Sequence, residues 1–116
     1  MNDEKKAALD ALLDSAYADL ALAAGTQHAK GEALEDAQTA LALARAAKIM
    51  LGEIQGKNET ERKASEVTVL ADEIDAVKFH ERSLRLQTLA LRLAEIEAER
   101  IRWKIRLEIG SMGTVL

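Results

Sequence analysis

Between Leu70 and Ile109 the sequence contains neither glycine nor proline, and its apolar residues recur around most of a helical circumference. At about 100° per residue, Leu86, Leu89, Leu93, Ile96 and Leu107 mark one side of a helix, and Leu84, Leu91, Ile105 and Ile109 mark another. Ala90, Ala94 and Ile101 fill the gap between them, which leaves a solvated strip containing Glu81, Arg85, Arg92, Glu99 and Arg106. A helix with one neighbour needs one apolar stripe. Two stripes call for two neighbours, and a chain of 116 residues has few helices to spare, so self-association is the natural source of the second. The predicted fold is all-α: a long antiparallel helical hairpin with an additional N-terminal helix, assembling as an oligomeric helical bundle or ring. Leu84, Leu86, Leu89, Leu91, Leu93, Ile96, Trp103 and Ile105 are the expected oligomer interface, and a charge placed at Leu91 or Leu93 is expected to dissociate or unfold the assembly.

Composition agrees with long helices. Apolar residues make up 48% of the chain, much of that alanine, with one Trp, one Tyr and one Phe, so the core must be aliphatic and thin. The absence of proline and the weight of Ala, Leu, Glu, Arg and Lys point the same way. No cysteine is present, which excludes disulfides and thiolate metal sites and fits a reducing compartment. Neither a signal-peptide pattern nor a run of about 18 apolar residues occurs, so a cytoplasmic protein with no membrane partner is expected, in the host cytoplasm if the chain is phage-derived.

Punctuation along the chain divides a single helical domain (1–116) into segments. Leu9, Leu13, Ala16, Leu20 and Ala23 recur at steps of three and four, predicting a first helix over 4–24. The polar, glycine-flanked stretch GTQHAKG (25–31) reads as a connection. A second helix is predicted over 32–55, closed by Gly56 in a left-handed conformation. Asn58 with Glu61 three residues on has the spacing of a capping box, opening an interrupted long helix over 58–109. The run Ser65–Val69 is poor in helix formers, so a bend or break is expected there. Residues 110–116 read as a flexible tail.

Signals for catalysis are nearly absent. His28 and His80 have no second histidine or cysteine at a ligand spacing. The six glycines are scattered without a phosphate-binding pattern, and no Glu-x-x-His pair of the di-metal bundles occurs. Asp72, Glu73 and Asp75 cluster where a helix dipole alone stabilises carboxylates. No enzyme, cofactor or metal site is expected. Charge is informative in its distribution: residues 1–77 hold 8 Lys+Arg against 15 Asp+Glu, and residues 78–116 hold 8 against 5. A locally basic surface is therefore compatible with a net charge of −4. Arg45, Lys48, Lys57, Arg62 and Lys63 gather near the predicted turn and are the candidate phosphate-contacting set.

The segment ALALARAAKIMLGEIQGKNETERKA (40–64) followed by the charged helix 72–106 resembles small helical proteins of tailed phages and prophages. In these, a helix ends at a glycine, a GKNExER-like turn follows, and a long helix completes a hairpin. More loosely, the order is similar to the UvsY-like phage recombination mediator family. That resemblance implies an all-helical, ring-like homo-oligomer that acts on single-stranded DNA alongside recombination proteins. It also implies a basic Lys-x-Arg element on the helix before the turn. Here Arg45 matches, Leu43 stands at the lysine place, and Lys48 follows one turn on. The expected function is a recombination mediator or single-stranded DNA accessory protein. The rival expectation is a structural or interaction protein, such as a phage assembly chaperone or a host-factor inhibitor, whose partner is another phage or host protein.

Overall fold

A computed structural model describes residues 3–115, with side chains to Gly110, and is helical apart from one short connection. Helix α1 spans Asp3–Met50, α2 spans Glu59–Val69 and α3 spans Ala71–Val115. The separate N-terminal helix is the first correction to the sequence reading: the two predicted helices 4–24 and 32–55 are one. The GTQHAKG stretch is helical throughout, although each interior glycine costs about 1 kcal/mol relative to alanine. Continuity survives because the stretch keeps the phase of the helix around it. The covered positions of α1 step by four and three from Leu9 through Leu13, Ala16, Leu20 and Ala23 to Gln27, and on through Lys30, Leu34, Ala37, Leu41 and Ala44 to Lys48. Polar side chains at Gln27 and Lys30 hold seam positions rather than loop positions. Thr26 also returns its hydroxyl to the Leu22 carbonyl at 3.0 Å, as a helical threonine does.

Contacts within the chain form two compact units, Met1–Gln27 with Gln87–Leu116, and His28–Leu86. In the first, α1 and α3 run antiparallel. Lys5 Nζ lies 2.8 Å from Glu108 Oε2, and at the opposite end Gln27 Nε2 donates to Thr88 Oγ1 at 3.0 Å while Gln87 Nε2 donates to the Ala23 carbonyl at 3.1 Å. Ala16, Ala98 and Ile101 form the buried centre, with Leu13 and Ile105 packed against it. Small residues facing large ones let the backbones approach closely while the layers interdigitate. In the second unit the antiparallel order recurs, with Lys30 Nζ donating to Ser83 Oγ at 2.9 Å and Arg45 paired with Glu66.

The turn within the second unit differs in detail from its predicted form. Helix α1 ends five residues earlier than expected, because Gly52 takes the left-handed conformation (φ 72°) assigned to Gly56. Glu53 N–H donates to the Lys48 carbonyl at 2.9 Å and Gly52 N–H to the Ile49 carbonyl at 3.1 Å, which is a Schellman motif. Gly56 serves a different purpose. A Cβ there would lie 2.6 Å from the Arg62 nitrogen and 2.8 Å from the Glu61 carbonyl carbon, so this glycine lets the connection pass over the start of α2. Asn58 caps α2 as expected, its Oδ1 accepting from Glu61 N–H at 2.9 Å. Glu61 reaches back to the Lys57 amide at 2.7 Å, one residue before the amide that a capping box would use.

The interruption of the long helix falls at Leu70, one residue after the predicted window. Leu70 adopts φ −107°, ψ 24° and is fully buried. Its N–H still donates to the Glu66 carbonyl and its carbonyl still accepts from Ile74, so the interruption keeps both of these helical hydrogen bonds. Thr68 Oγ1, bonded back to the Ala64 carbonyl at 3.3 Å, is of the kind that bends helices. The predicted tail is a further correction: α3 continues through Gly110 to Val115, with no proline to stop it, and Leu116 lies outside the described residues.

The two turn glycines should respond differently to alanine. Gly52→Ala should cost about 1 kcal/mol, the penalty of a Cβ in the left-handed region, whereas Gly56→Ala should cost more, because the atoms it meets are backbone. Urea unfolding of both variants followed by circular dichroism checks the order.

Candidate functional site

Among the described residues no three His, Cys, Asp or Glu side chains come together in a way that could hold a metal ion. His28 pairs with Glu32 at 3.0 Å one turn along the exposed surface of α1, and His80 packs edge-on against Phe79. No helix among the described residues is long and apolar enough to cross a membrane. Two surfaces remain as candidates: the basic set and the outer face of α3.

The basic set lies within the second unit, distributed over the end of α1, the connection and the start of α2. Carboxylates occupy much of it. Arg45 is paired with Glu66, Lys48 with Glu53 at 2.6 Å and Lys63 with Glu59 at 3.5 Å. The hydrogen bond that Lys48 donates to Glu53, reinforced by the carboxylate's charge, raises the Lys48 pKa above the usual lysine value. Lys57 and Arg62 are exposed and hold no ion pair among the described residues. A phosphate arriving at Arg45, Lys48 or Lys63 would have to displace a carboxylate that is already in place.

Helix α3 separates the predicted interface residues into two sets. Leu84 in the second unit, and Leu91 and Ile105 in the first, are half-covered and lie on the side that packs within the chain, together with buried Ala98 and Ile101. Ile109, predicted to share that stripe, is instead exposed, and Glu108 takes the inward place. Leu86, Leu89, Leu93, Ile96 and Trp103 face water, with Leu93 58% exposed, and Leu107 on the same side is 71% exposed. In the first unit these residues sit at 89, 93, 96, 103 and 107, with Arg100 at the one polar step. That spacing of three and four is the a/d pattern of a coiled-coil seam. The outer seam lies two residues out of phase with the inner one, about 160° around the helix at roughly 100° per residue.

Charges flank the outer seam in the first unit. Arg100 forms a two-point contact with Glu97, at 2.7 and 3.1 Å, which lowers the Glu97 pKa and raises that of Arg100, the hydrogen bond being the larger cause in both. Arg92 lies 3.6 Å from Glu95. The guanidinium of Arg106 stacks 5.2 Å above the Trp103 ring, and Glu99 and Arg102 complete a depression of about 20 Å³, room for a single water molecule. It is too small to seat a base or a cofactor. Comparison of the chain with protein-family models, curated proteins and solved structures gives no match.

The two faces predict opposite behaviour for neighbouring leucines. Leu91→Glu, on the side packed within the chain, should cost about 2–4 kcal/mol by placing a charge in an apolar contact. Leu93→Glu should leave the stability of an isolated chain within about 0.5 kcal/mol. Thermal unfolding in dilute solution, where any association is minimised, separates them.

Proposed function

We propose that this chain is a non-enzymatic, self-associating helical interaction protein that works by offering the outer face of α3 to another helix. One observation carries the reading: in the first unit α3 keeps an apolar a/d pattern in water, broken only at Arg100, on the side opposite the one it packs with. A scattered exposed leucine needs no explanation, but an ordered row is the mark of an interaction surface. The neutralisation of Arg45, Lys48 and Lys63 by glutamates points in the same direction, since a strand-binding surface keeps its cations available for phosphate. In a phage setting this is the chemistry of an assembly chaperone or of an inhibitor that docks on a host factor.

A second reading, the recombination mediator or single-stranded DNA accessory protein implied by the resemblance, is favoured by one specific feature. Trp103 is exposed, carries Arg106 over its face, and lies in the basic part of the chain. An aromatic with an adjacent cation is a stacking platform in miniature, and repetition in an oligomer multiplies weak contacts. Arg45, Lys48, Lys57, Arg62 and Lys63 would then position phosphates.

Three measurements on the full chain decide between them. In a fluorescence-anisotropy titration with a labelled single-stranded oligonucleotide, the interaction reading expects no binding even at low salt. Binding that weakens with salt and drops in a Lys57→Ala, Arg62→Ala double variant would establish the DNA reading. Capture from nuclease-treated host lysate and light scattering, each with and without Leu93→Glu, test the interaction reading. If neither self-association nor a protein partner depends on Leu93, that reading is wrong.

A further inference from the structure

We infer that the occupant of the outer α3 face is the same face of a second copy of this chain, packed parallel and in register. This rests on the interaction reading above and adds the partner and its orientation, both argued from the first unit alone. Leu89, Leu93, Ile96, Trp103 and Leu107 alternate by four, three, seven and four, with Arg100 at the intermediate place. In a parallel pair each of these meets its own counterpart, so the apolar layers coincide without adjustment. Arg100 is the lone charged residue within the seam. A single polar residue at such a position costs stability and specifies register, because any shift sets it against an apolar layer.

Flanking charges suit the parallel orientation. In a parallel pair, a residue just before an a position faces the residue five places further along in the other copy. Arg92 then faces Glu97 of the second copy, and Glu99 faces Lys104. Symmetry doubles both pairs. Glu99 and Lys104 hold no ion pair among the described residues, while Arg92 and Glu97 hold exposed contacts within their own helix that exchange at little cost. Three antiparallel registers that overlap these residues fare worse. One register sets Arg92 against Arg92, another sets Glu99 against Glu99, and a third seats Leu89 on Arg100. In the parallel arrangement both flanking pairs are opposite in charge, and the one like-charge meeting is Arg100 with its own counterpart.

The area is adequate. Five apolar side chains each leave on the order of 100 Å² in water, and with the aliphatic stems of Arg92 and Lys104 the face offers about 700 Å² per copy, close to the roughly 800 Å² per partner of a standard specific interface. The inner seam lies on the other side of α3, so a second copy can approach without displacing α1 in the first unit.

The native chain has no cysteine, which allows a clean test of orientation. Gly110 falls at the next seam position after Leu107, and a Cβ there meets nothing within 4 Å. In a parallel, in-register pair, Gly110→Cys places the two thiols side by side, whereas in an antiparallel pair that overlaps the whole seam from Leu89 to Leu107 they lie tens of Å apart at about 1.5 Å per residue. The expected result is a dimer by light scattering and a covalent dimer of the Gly110→Cys chain under mild oxidation. Glu99→Lys should weaken association about tenfold, the effect of roughly 1.4 kcal/mol, and Glu99→Lys with Lys104→Glu should restore it. A dimer that does not cross-link at position 110, or one whose double charge swap fails to rescue, overturns the parallel register while leaving self-association in place. A monomer at tens of micromolar overturns the second copy as occupant; if that monomer still captures a protein through Leu93, the interaction reading stands with another partner.

Discussion

The three-four spacing along α1 is the constraint on which the other features rest. A row of covered positions steps by three or four residues from Leu9 to Lys48, and that regularity keeps one side of the helix against its neighbour in each unit. The seam is thin, with alanine at Ala16, Ala23, Ala37 and Ala44, so stability comes from length of contact and close approach rather than from bulky side chains. Polar residues enter the seam only with partners: Gln27 with Thr88 in the first unit and Lys30 with Ser83 in the second. No buried side-chain nitrogen or oxygen among the described residues lacks a hydrogen bond.

Two residues show where local reading of the sequence succeeds and where it fails. Asn58 was legible as a cap because capping is a contact over three residues, with its signal inside one turn. The stretch 25–31 is loop-forming by composition, through its glycines and polar residues, while its helical character lies in phase: Ala23, Gln27, Lys30 and Leu34 continue the spacing that Leu9 begins, straight across the two glycines. Gly52 rather than Gly56 ends α1, and the ion pair between Lys48 and Glu53 that accompanies this end appears only once the chain has turned.

The candidate surfaces were legible to different depths. The two apolar faces of α3 follow from periodicity alone, and the structure assigns Leu91 to one and Leu93 to the other. That basic residues gather near the turn was equally visible. Their neutralisation was not, since Glu66 comes to Arg45 through packing between segments that are distant in sequence. Charge counted along a chain records how many cations exist; only the fold records which are already engaged.

Arg100 has one more consequence. It divides the exposed strip of the first unit into Leu89–Ile96 and Trp103–Leu107, and its contact with Glu97 keeps a charged pair standing at the division. A chain newly released from synthesis therefore shows water two short greasy segments instead of one long one. Gatekeeping of this kind slows indiscriminate clumping, which depends on uninterrupted apolar runs, without removing the order that a specific partner would read.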